Sequence, residues 1–150
     1  MPKHILVSSL IAAVVVGGVA AGGLAAASPA TEPTVTNTSV RYVAPSGTAA
    51  GSLRFTADVG DDSGVRGLKV IAWPVSSKLD DLTEAEMRYV DSAVCRPTTA
   101  ITSRCTYSVK ATREEVADVD RGTWHVSVLA TAKDGGTVFV RRAATFDLTG

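Results

Sequence analysis

The sequence predicts an all-β protein, a β-sandwich of about seven strands that carries one short helical insertion. Six or seven segments of roughly five to nine residues have strand patterns, several with an apolar residue at every second position. Clusters of glycine, aspartate and serine separate these segments and indicate turns. Short strands divided by regular turn signals are typical of a sandwich.

The strands of the first half are expected over residues 36–43, 53–59 and 65–74. The segment 53–59 alternates strictly, so one of its faces is buried. The segment 65–74 is apolar on both faces, which favours a central strand. Pro74 lacks an N–H donor and is expected to end the ladder.

A helical insertion is predicted at about residues 82–91. Thr83 and Glu86 have the spacing of a capping box, and acidic residues crowd the first turn. Thr112 and Glu115 repeat this spacing and predict a single helical turn.

The strands of the second half are expected over residues 104–110, 123–130 and 137–148. A hairpin signal at Asp134-Gly135-Gly136 joins the last two. A bulge is expected near Arg142 and Ala143. With about 5% aromatic residues in the chain, the core depends on few large anchors. The expected anchors are Phe55, Trp73, Tyr107, Trp124 and Phe146.

Residues 1–27 have the layout of a secretory signal peptide. Lys3 gives a basic start, a long uncharged run follows, and the small residues Ala25 and Ala27 suit cleavage. Cleavage is expected after Ala27 or, alternatively, after Ala30. An uncleaved membrane anchor is the alternative, because the segment is long enough to span a bilayer although it is weakly apolar. We expect a secreted, extracellular protein that is free of the membrane after cleavage.

The exported part consists of a flexible leader at residues 28–34 and one domain at residues 35–150. Removing residues 1–27 leaves fourteen basic and fifteen acidic residues. This balance, without a basic cluster, argues against a nucleic acid or an anionic membrane as partner. The composition is typical of a GC-rich bacterial genome. We expect a monomer without a cofactor.

Cys95 and Cys105 are the only cysteines of the chain. In an oxidising compartment an isolated pair is most simply a disulfide. The spacing is not that of a Cys-x-x-Cys redox motif, and no histidine lies nearby, so a structural bridge is expected.

Three segments resemble bacterial immunoglobulin-like domains. Residues 112–128 resemble the corner before the penultimate strand of those domains, with Trp124 where they commonly have tyrosine. Residues 130–136 resemble their closing hairpin, and residues 61–65 resemble the turn before their third strand. The resemblance implies an immunoglobulin-like sandwich without the usual inter-sheet disulfide, and the helical insertion is not standard. The whole chain also resembles small secreted actinomycete proteins of unknown function.

Catalytic residues are sparse in the exported part. His125 is its one histidine, and no Gly-x-Ser-x-Gly motif accompanies it. The carboxylate pairs Glu84/Glu86 and Glu114/Glu115 lie in expected helical turns, where capping explains them. We expect a protein that is not an enzyme.

Calcium is the one metal worth considering, because aspartates cluster in two inter-strand loops. These weak candidates are Asp58, Asp61, Asp62, Asp118 and Asp120. They would form a site only if both loops met at one end of the sandwich, and turn formation explains them more simply.

The leading functional hypothesis is a secreted, non-enzymatic module that binds a protein or a cell-surface ligand. The insertion and the cysteine loop, residues 78–104, are the candidate surface, or else a flap that packs over a sheet edge. The expected contact residues are Arg88, Tyr89, Arg96 and Arg104. The alternatives are a small secreted protease inhibitor that presents residues 96–98, a small hydrolase, or an accessory module of a surface assembly.

Overall fold

The computed structural model describes residues 29–77 and 82–149, and the expected signal peptide at residues 1–27 lies outside them. The described residues form two antiparallel sheets of four strands each. The two sheets pack face to face around an apolar core. The prediction of an all-β sandwich is therefore confirmed, with eight strands rather than about seven.

The strands are β1 (Thr34–Val43), β2 (Gly51–Gly60), β3 (Val65–Pro74), β4 (Asp91–Ser92), β5 (Val94–Pro97), β6 (Thr102–Ala111), β7 (Gly122–Ala132) and β8 (Thr137–Leu148). A 3-10 helix spans Glu86–Tyr89, and one short α-helix, α1, spans Arg113–Ala117. Every strand located from the sequence is present. The short strands β4 and β5 were not predicted.

The two sheets meet differently at their two sides. The strand order is β1, β2, β6, β5 in the first sheet and β4, β3, β7, β8 in the second. At one side, β1 and β8 contact each other, and Tyr42 stacks on Phe146 with ring centroids 5.9 Å apart. At the other side, the chain crosses from β4 to β5 through Ala93, whose N–H donates to the carbonyl of Leu68. Because β4 has two residues and β5 has four, these strands cover only part of their side.

The core lies between β2 and β6 of the first sheet and β3 and β7 of the second. Phe55, Ala57 and Val59 of β2 are fully buried, as the alternating pattern predicted. Val126 and Val128 of β7 meet them from the opposite sheet. Burial of each large apolar side chain contributes about 1.5–3 kcal/mol, so the alternation of β2 and β7 selects this packing.

Trp73 is a buried anchor, as predicted, but it lies outside the cluster between the two sheets. Successive residues of a strand point to opposite faces, and Ala72 packs against the core. The Trp73 ring therefore lies on the outer face of the second sheet. There its Nε1–H donates to the Ser127 hydroxyl at 2.7 Å, and its edge meets the His125 ring. A buried indole N–H requires such a partner.

The helical insertion is shorter than predicted. A 3-10 helix of four residues replaces the helix expected over residues 82–91. Leu82 and Met87 pack together with Leu129 in a second apolar cluster. Residues five positions apart lie on different faces of an α-helix, so this packing requires a less regular segment. Met87 is completely buried, so the insertion packs as a flap, but it covers the outer face of the second sheet rather than a sheet edge.

The reciprocal bonds of both predicted capping boxes form, although those of Thr83 and Glu86 close the turn before the 3-10 helix, whose N-cap is Ala85. The Thr83 N–H donates to the Glu86 carboxylate, and the Glu86 N–H donates to the Thr83 hydroxyl. Thr112 and Glu115 exchange the same two bonds at the start of α1. These bonds satisfy backbone donors that a helix start leaves without partners. The bonds from Thr112 also lower the pKa of the Glu115 carboxyl.

The closing hairpin and the bulge in the last strand are confirmed. Gly135 has a φ of 96°, in the left-handed region that glycine adopts readily. In the ladder between β7 and β8, Val126 pairs with Ala144, whereas Val128 pairs with Val140. The extra residues of β8 bulge where the sequence predicted.

The chain just before β1 is attached to the turns that join β2 to β3 and β7 to β8. The Thr31 hydroxyl donates to Asp61 at 2.6 Å, and the Thr31 N–H donates to Asp134 at 3.0 Å. A Cβ added to Gly136 would lie 1.9 Å from the Thr31 carbonyl oxygen, so the two backbones are in contact. The leader expected at residues 28–34 therefore includes an anchored residue.

Candidate functional site

An apolar recess of about 450 Å³ lies between the two sheets, at the end of the sandwich where α1 packs. Concave apolar sites of this size with a few polar groups commonly bind ligands. The lining residues are Tyr42, Ser52, Leu53, Val70, Ile71, Ala72, Val90, Asp91, Tyr107, Val109, Lys110, Ala111, Glu115, Val116, Val119, Trp124, Phe146 and Leu148. Among them, Tyr107, Trp124 and Phe146 are expected anchors, and Tyr107 and Trp124 are only half-buried because the recess leaves them uncovered.

Tyr107 and Asp91 place polar atoms in this apolar lining. The Tyr107 hydroxyl donates to Asp91 Oδ2 at 3.1 Å. Burial, together with the neighbouring carboxylate, raises the pKa of Tyr107 to about 12. The raised pKa keeps the hydroxyl protonated, and able to donate to Asp91, at alkaline pH values at which an ordinary tyrosine ionises.

The recess opens to solvent because the strands on this side are short. β5 pairs with residues 103–106 of β6, and β4 pairs with Lys69 and Val70 of β3. Beyond them, Tyr107–Ala111 of β6 and Ile71–Pro74 of β3 have no strand on their outer side within the described part of the chain. The recess lies between these two open strand edges.

The cysteine pair indicates which backbone groups face the open edge of β6. Cys95 and Cys105 are direct partners in the ladder, with Cα atoms 4.0 Å apart. So short a separation indicates a non-hydrogen-bonded pair, in which the adjacent residues supply the ladder bonds. Arg104 and Thr106 therefore direct their N–H and C=O groups toward β5. Because this direction alternates along a strand, Ser108 and Lys110 direct theirs to the same side of β6, beyond the end of β5. No strand of the described chain meets these groups.

A polar depression of about 590 Å³ adjoins the same edge. Arg54, Arg96 and Arg104 line it. Arg104 pairs with Asp58, with Nε and Oδ1 2.7 Å apart. A hydrogen bond from Asn37, with further contributions from Arg104, holds the pKa of Asp58 below its usual range. The depression retains an excess of positive charge, since Asp91 is the one acidic residue in its lining.

The four expected contact residues fall into two groups. Arg96 and Arg104 are partners in the ladder between β5 and β6, and both line the polar depression. Arg88 and Tyr89 belong to the 3-10 helix and line neither the recess nor the depression. Tyr89 is 89% exposed, the highest value among the large hydrophobic residues of the described chain. The structure therefore brings together only one half of the expected surface.

The expected disulfide between Cys95 and Cys105 is present. It joins neighbouring strands of one sheet and does not link the two sheets. Arg96 and Pro97 follow Cys95 within β5 and pair with Arg104 and Ser103. The segment proposed for protease inhibition is therefore paired in a ladder at these two positions.

The five calcium candidates are divided between opposite ends of the sandwich, which corrects the idea of a shared site. Asp58 lies within β2, Asp61 and Asp62 lie in the loop that follows it, and Asp118 and Asp120 lie in the loop between α1 and β7. Val65, just after the first loop, pairs with Ala132 at the end of β7. The second loop precedes the start of β7, a whole strand away. Within residues 29–77 and 82–149, no group of three or more metal-ligating side chains is arranged to hold an ion.

Asp61 instead fixes the structure at its end of the sandwich. Its carboxylate accepts hydrogen bonds from the Thr31 hydroxyl and from both the N–H and the hydroxyl of Ser63. Burial acts to raise the pKa of Asp61, but the bonds from Thr31 and Ser63 outweigh it and hold the pKa below its usual value. The charged carboxylate is therefore the form that the folded chain stabilises.

The catalytic candidates make structural contacts. His125 Nδ1 lies 3.1 Å from the Thr145 hydroxyl. Ser127 is on the same face, but its hydroxyl donates to the Arg141 carbonyl and accepts from Trp73, so it is not directed at the imidazole.

The glutamate candidates also bond to neighbouring threonines. Glu84 accepts from the Thr137 hydroxyl at 2.6 Å, and Glu86 and Glu115 cap helical turns. Glu114 lies exposed in the first turn of α1. The expectation that the protein is not an enzyme stays a prediction.

The sequence analysis missed several site residues, among them Asp91, Arg54 and the edge residues Ser108 and Lys110. Asp91 lies sixteen positions from Tyr107, a distance at which no local pattern links two residues. The cysteine pair could have indicated this contact. A hairpin that pairs Cys95 with Cys105 brings the residues that precede Cys95 close to those that follow Cys105. Read in that way, the cysteine pair would have predicted β5 as well.

The fold and its open side define a small disulfide-bonded β-sandwich with a recess between the sheets. No helix in residues 29–77 and 82–149 is long and apolar enough to span a membrane. The chain belongs to a family of unknown function, DUF5707, whose model matches residues 35–130. That match extends from β1 into β7 and includes the disulfide and both open edges. No curated protein and no solved structure matches the chain.

Proposed function

We propose that this protein is an exported, non-enzymatic, immunoglobulin-like module that binds a partner protein. In this proposal the partner adds one extended strand to the open edge of β6. The partner is either a soluble protein or a protein displayed on a cell surface. The observation that carries the proposal is the free edge at Ser108 and Lys110, which lies between the apolar recess and the polar depression.

The strand order supports an immunoglobulin-like identity. In such domains, strands A, B, E and D form one sheet, and strands C, F and G form the other. Labelling β1, β2 and β3 as A, B and C, β4 as C′, and β5 to β8 as D to G gives the sheets A-B-E-D and C′-C-F-G. The resemblance seen in residues 112–128 agrees with this labelling, because the segment leads into strand F, the penultimate strand.

The layout of residues 1–27 and the disulfide support export. Disulfides persist in oxidising compartments and are rare where thiols are kept reduced. The bridge between Cys95 and Cys105 is buried on the side of Cys105, which is completely inaccessible to solvent.

An unpaired strand edge favours a binding function over inhibition or hydrolysis. Main-chain groups at a sheet edge bind extended peptides through ladder hydrogen bonds, and pockets beside the edge select side chains. The β6 edge has both features. By contrast, Arg96 and Pro97 are engaged in a ladder, and His125 faces Thr145.

The test is a selection of nine-residue peptides, displayed on phage, on the immobilised protein. Selected peptides are synthesised, and their dissociation constants are measured by fluorescence anisotropy. Ser108→Pro removes the N–H that faces the open edge, while the bonds to β2 come from the alternate residues. We expect this variant to bind at least tenfold more weakly than the wild type.

Ser108→Ala is the matched control, because it keeps the N–H and removes only the hydroxyl. It should bind like the wild type. Lys110→Pro provides a second test of the same edge if Ser108→Pro does not fold. Selected peptides that bind the folded proline variants as tightly as the wild type, or a selection without binders, would contradict strand addition.

A further inference from the structure

We infer that the strand accepted by β6 alternates apolar and acidic residues, with the apolar side chains in the recess between the sheets. This inference rests on the proposed strand addition and specifies the chemistry of the partner. The apolar recess and the positively charged depression lie on opposite sides of the β6 edge. A strand bound at this edge would therefore present apolar and acidic side chains in alternation.

The geometry of an added strand requires this alternation. A strand paired with β6 lies about 4.8 Å from it and continues the first sheet. Its side chains point alternately toward the second sheet and away from it. The added strand would occupy the place next to β6 that β5 leaves empty beyond Val94. Alternate side chains of that strand would then lie over the recess and over the polar depression.

The side chains of the added strand that point inward would contact the largely apolar lining of the recess. Val109 faces the recess from β6 and is 37% exposed, although its strand is buried on this face further along. Ala72 forms part of the opposite wall. Apolar side chains placed between them would cover Val109 and remove both surfaces from water, which favours binding roughly in proportion to the area covered.

The side chains of the added strand that point outward would lie over the polar depression, which carries an excess of positive charge. Arg54 pairs with Ser108 across the ladder, and the small serine leaves its guanidinium room to reach an added strand. Arg96 lies on β5 in line with that strand and also lines the depression. Arg104 is already paired with Asp58. Carboxylates between the apolar residues of the partner therefore have two cations, Arg54 and Arg96, within reach.

The test uses three fluorescein-labelled heptapeptides whose binding is followed by anisotropy. The first alternates valine and glutamate, the second has the same composition with the valines in one block, and the third alternates valine and lysine. We expect the first to bind at least tenfold more tightly than either of the others. Its affinity should fall as the salt concentration rises, because the contacts to Arg54 and Arg96 are solvent-exposed.

Two variants separate the two surfaces. Arg54→Gln combined with Arg96→Gln should remove most of the preference for glutamate over lysine. Ala72→Leu narrows the recess and should weaken the alternating glutamate peptide at least fivefold. Arg121→Gln, an exposed arginine before β7 that does not line either surface, is the control and should leave all affinities unchanged.

The outcomes distinguish this inference from the proposed function. Three peptides that bind equally, and that all lose affinity with Ser108→Pro, would overturn the alternation but keep strand addition. Binding that the arginine variants do not change would overturn the acidic specificity. If no peptide binds and Ser108→Pro has no effect on any ligand, strand addition itself is wrong.

The geometry also assigns export processing to the bond between Ala30 and Thr31. This second inference rests on the proposed export and on a different observation, the anchoring of Thr31. Its N–H donates to Asp134 Oδ2 at 3.0 Å, and its hydroxyl lies 3.2 Å from the same oxygen and 2.6 Å from Asp61. Two carboxylates thus converge on one residue.

Hydrolysis of this peptide bond would turn the Thr31 N–H into an ammonium group. The C–N bond breaks, water supplies the hydroxyl that completes the Ala30 carboxyl group, and the released amine takes up protons at neutral pH. An ammonium has three donors and a positive charge, which suits two adjacent carboxylates better than one neutral N–H does. Ala30 and Ser28 are small, as the cleavage specificity of export requires.

Mass spectrometry of the intact protein from the culture medium tests this assignment. We expect an N-terminus at Thr31. An N-terminus at Ser28 would overturn the assignment and leave export intact. Protein that stays cell-associated and retains residues 1–30 would overturn export itself. As a second measurement, the form that begins at Thr31 should melt at a higher temperature than the form that begins at Ser28, and Asp134→Asn should abolish this difference.

Discussion

The Tyr107 hydroxyl donates a hydrogen bond of 3.1 Å to the Asp91 carboxylate, and this bond joins β6 of the first sheet to β4 of the second. It lies at the mouth of the recess, next to the two open strand edges. Side chains rather than a backbone ladder thus hold the sheets together at this point. On the side of the sandwich that carries the proposed binding edge, this bond adds to the backbone crossing at Ala93, and one substitution removes it.

Tyr107→Phe deletes this bond and keeps the ring. We expect the free energy of unfolding to fall by about 1 kcal/mol, which is typical for a partly exposed side-chain hydrogen bond. Urea unfolding at pH 7 measures the change. Ser108→Ala, the next residue along β6, is the control and should change the free energy by less than about 0.5 kcal/mol.

The raised pKa of Tyr107 predicts a second signature of the same variant. The pKa is about 12 in the folded chain against 10.0 for an ordinary tyrosine, so the folded state holds the proton more tightly. The stabilisation by this group is fully present below pH 10 and is lost as the pH rises toward 12. Thermal unfolding between pH 8 and 12 should show the wild type approaching Tyr107→Phe. A gap that stays constant over this range would argue against the prediction.

Removal of the disulfide should destabilise the fold substantially. Cys95 and Cys105 are ten positions apart, and the chain-entropy model gives about 3 kcal/mol for so short a loop. The double variant Cys95→Ala/Cys105→Ala tests this by urea unfolding, with the wild type measured before and after reduction for comparison. A loss below about 1 kcal/mol would mean that β5 is held by its ladder alone.

Asp61→Asn should weaken the end of the sandwich where Thr31 is anchored. The variant loses charge-assisted bonds from Thr31 and Ser63, so we expect a loss of about 1–3 kcal/mol at pH 7. Because the pKa of Asp61 is lowered in the folded state, this stabilisation is present above the ordinary aspartate range. It is lost as the pH falls through the lower folded value. Asp62→Asn, at the exposed neighbour, should cost little at any pH.

Gly136→Ala should detach the segment before β1. A Cβ at this position would lie 1.9 Å from the Thr31 carbonyl oxygen, and only a backbone shift can relieve this contact. We expect a loss of about 1–3 kcal/mol and faster proteolysis before β1. Gly67→Ala is the matched control, since a Cβ there meets nothing within 4 Å. Equal stability of the two variants would show that Thr31 is not held.

Most strands could be predicted because their signals are local. The alternation of β2 reappears as buried Phe55, Ala57 and Val59, separated by the partly exposed Thr56 and Asp58. Gly135 adopts the positive φ that its turn requires. The candidate site was predicted less well: Arg96 and Arg104 were placed on a common surface, whereas Asp91 was not connected with Tyr107. That contact depends on where β4 and β5 end, and two strands of two and four residues carry too little pattern to be located.

By itself, the sequence determined the main strands, their alternating faces and the turns, because the pleat of a strand and the φ of a glycine are properties of a few adjacent residues. It also determined the covalent link, since two cysteines have one way to pair. Only the tertiary structure decided that one side of the sandwich stays open, with Trp73 on an outer face and Val109 beside a recess. The open side results from the extent of pairing between strands far apart in the chain, and that extent is fixed only when the whole sandwich packs.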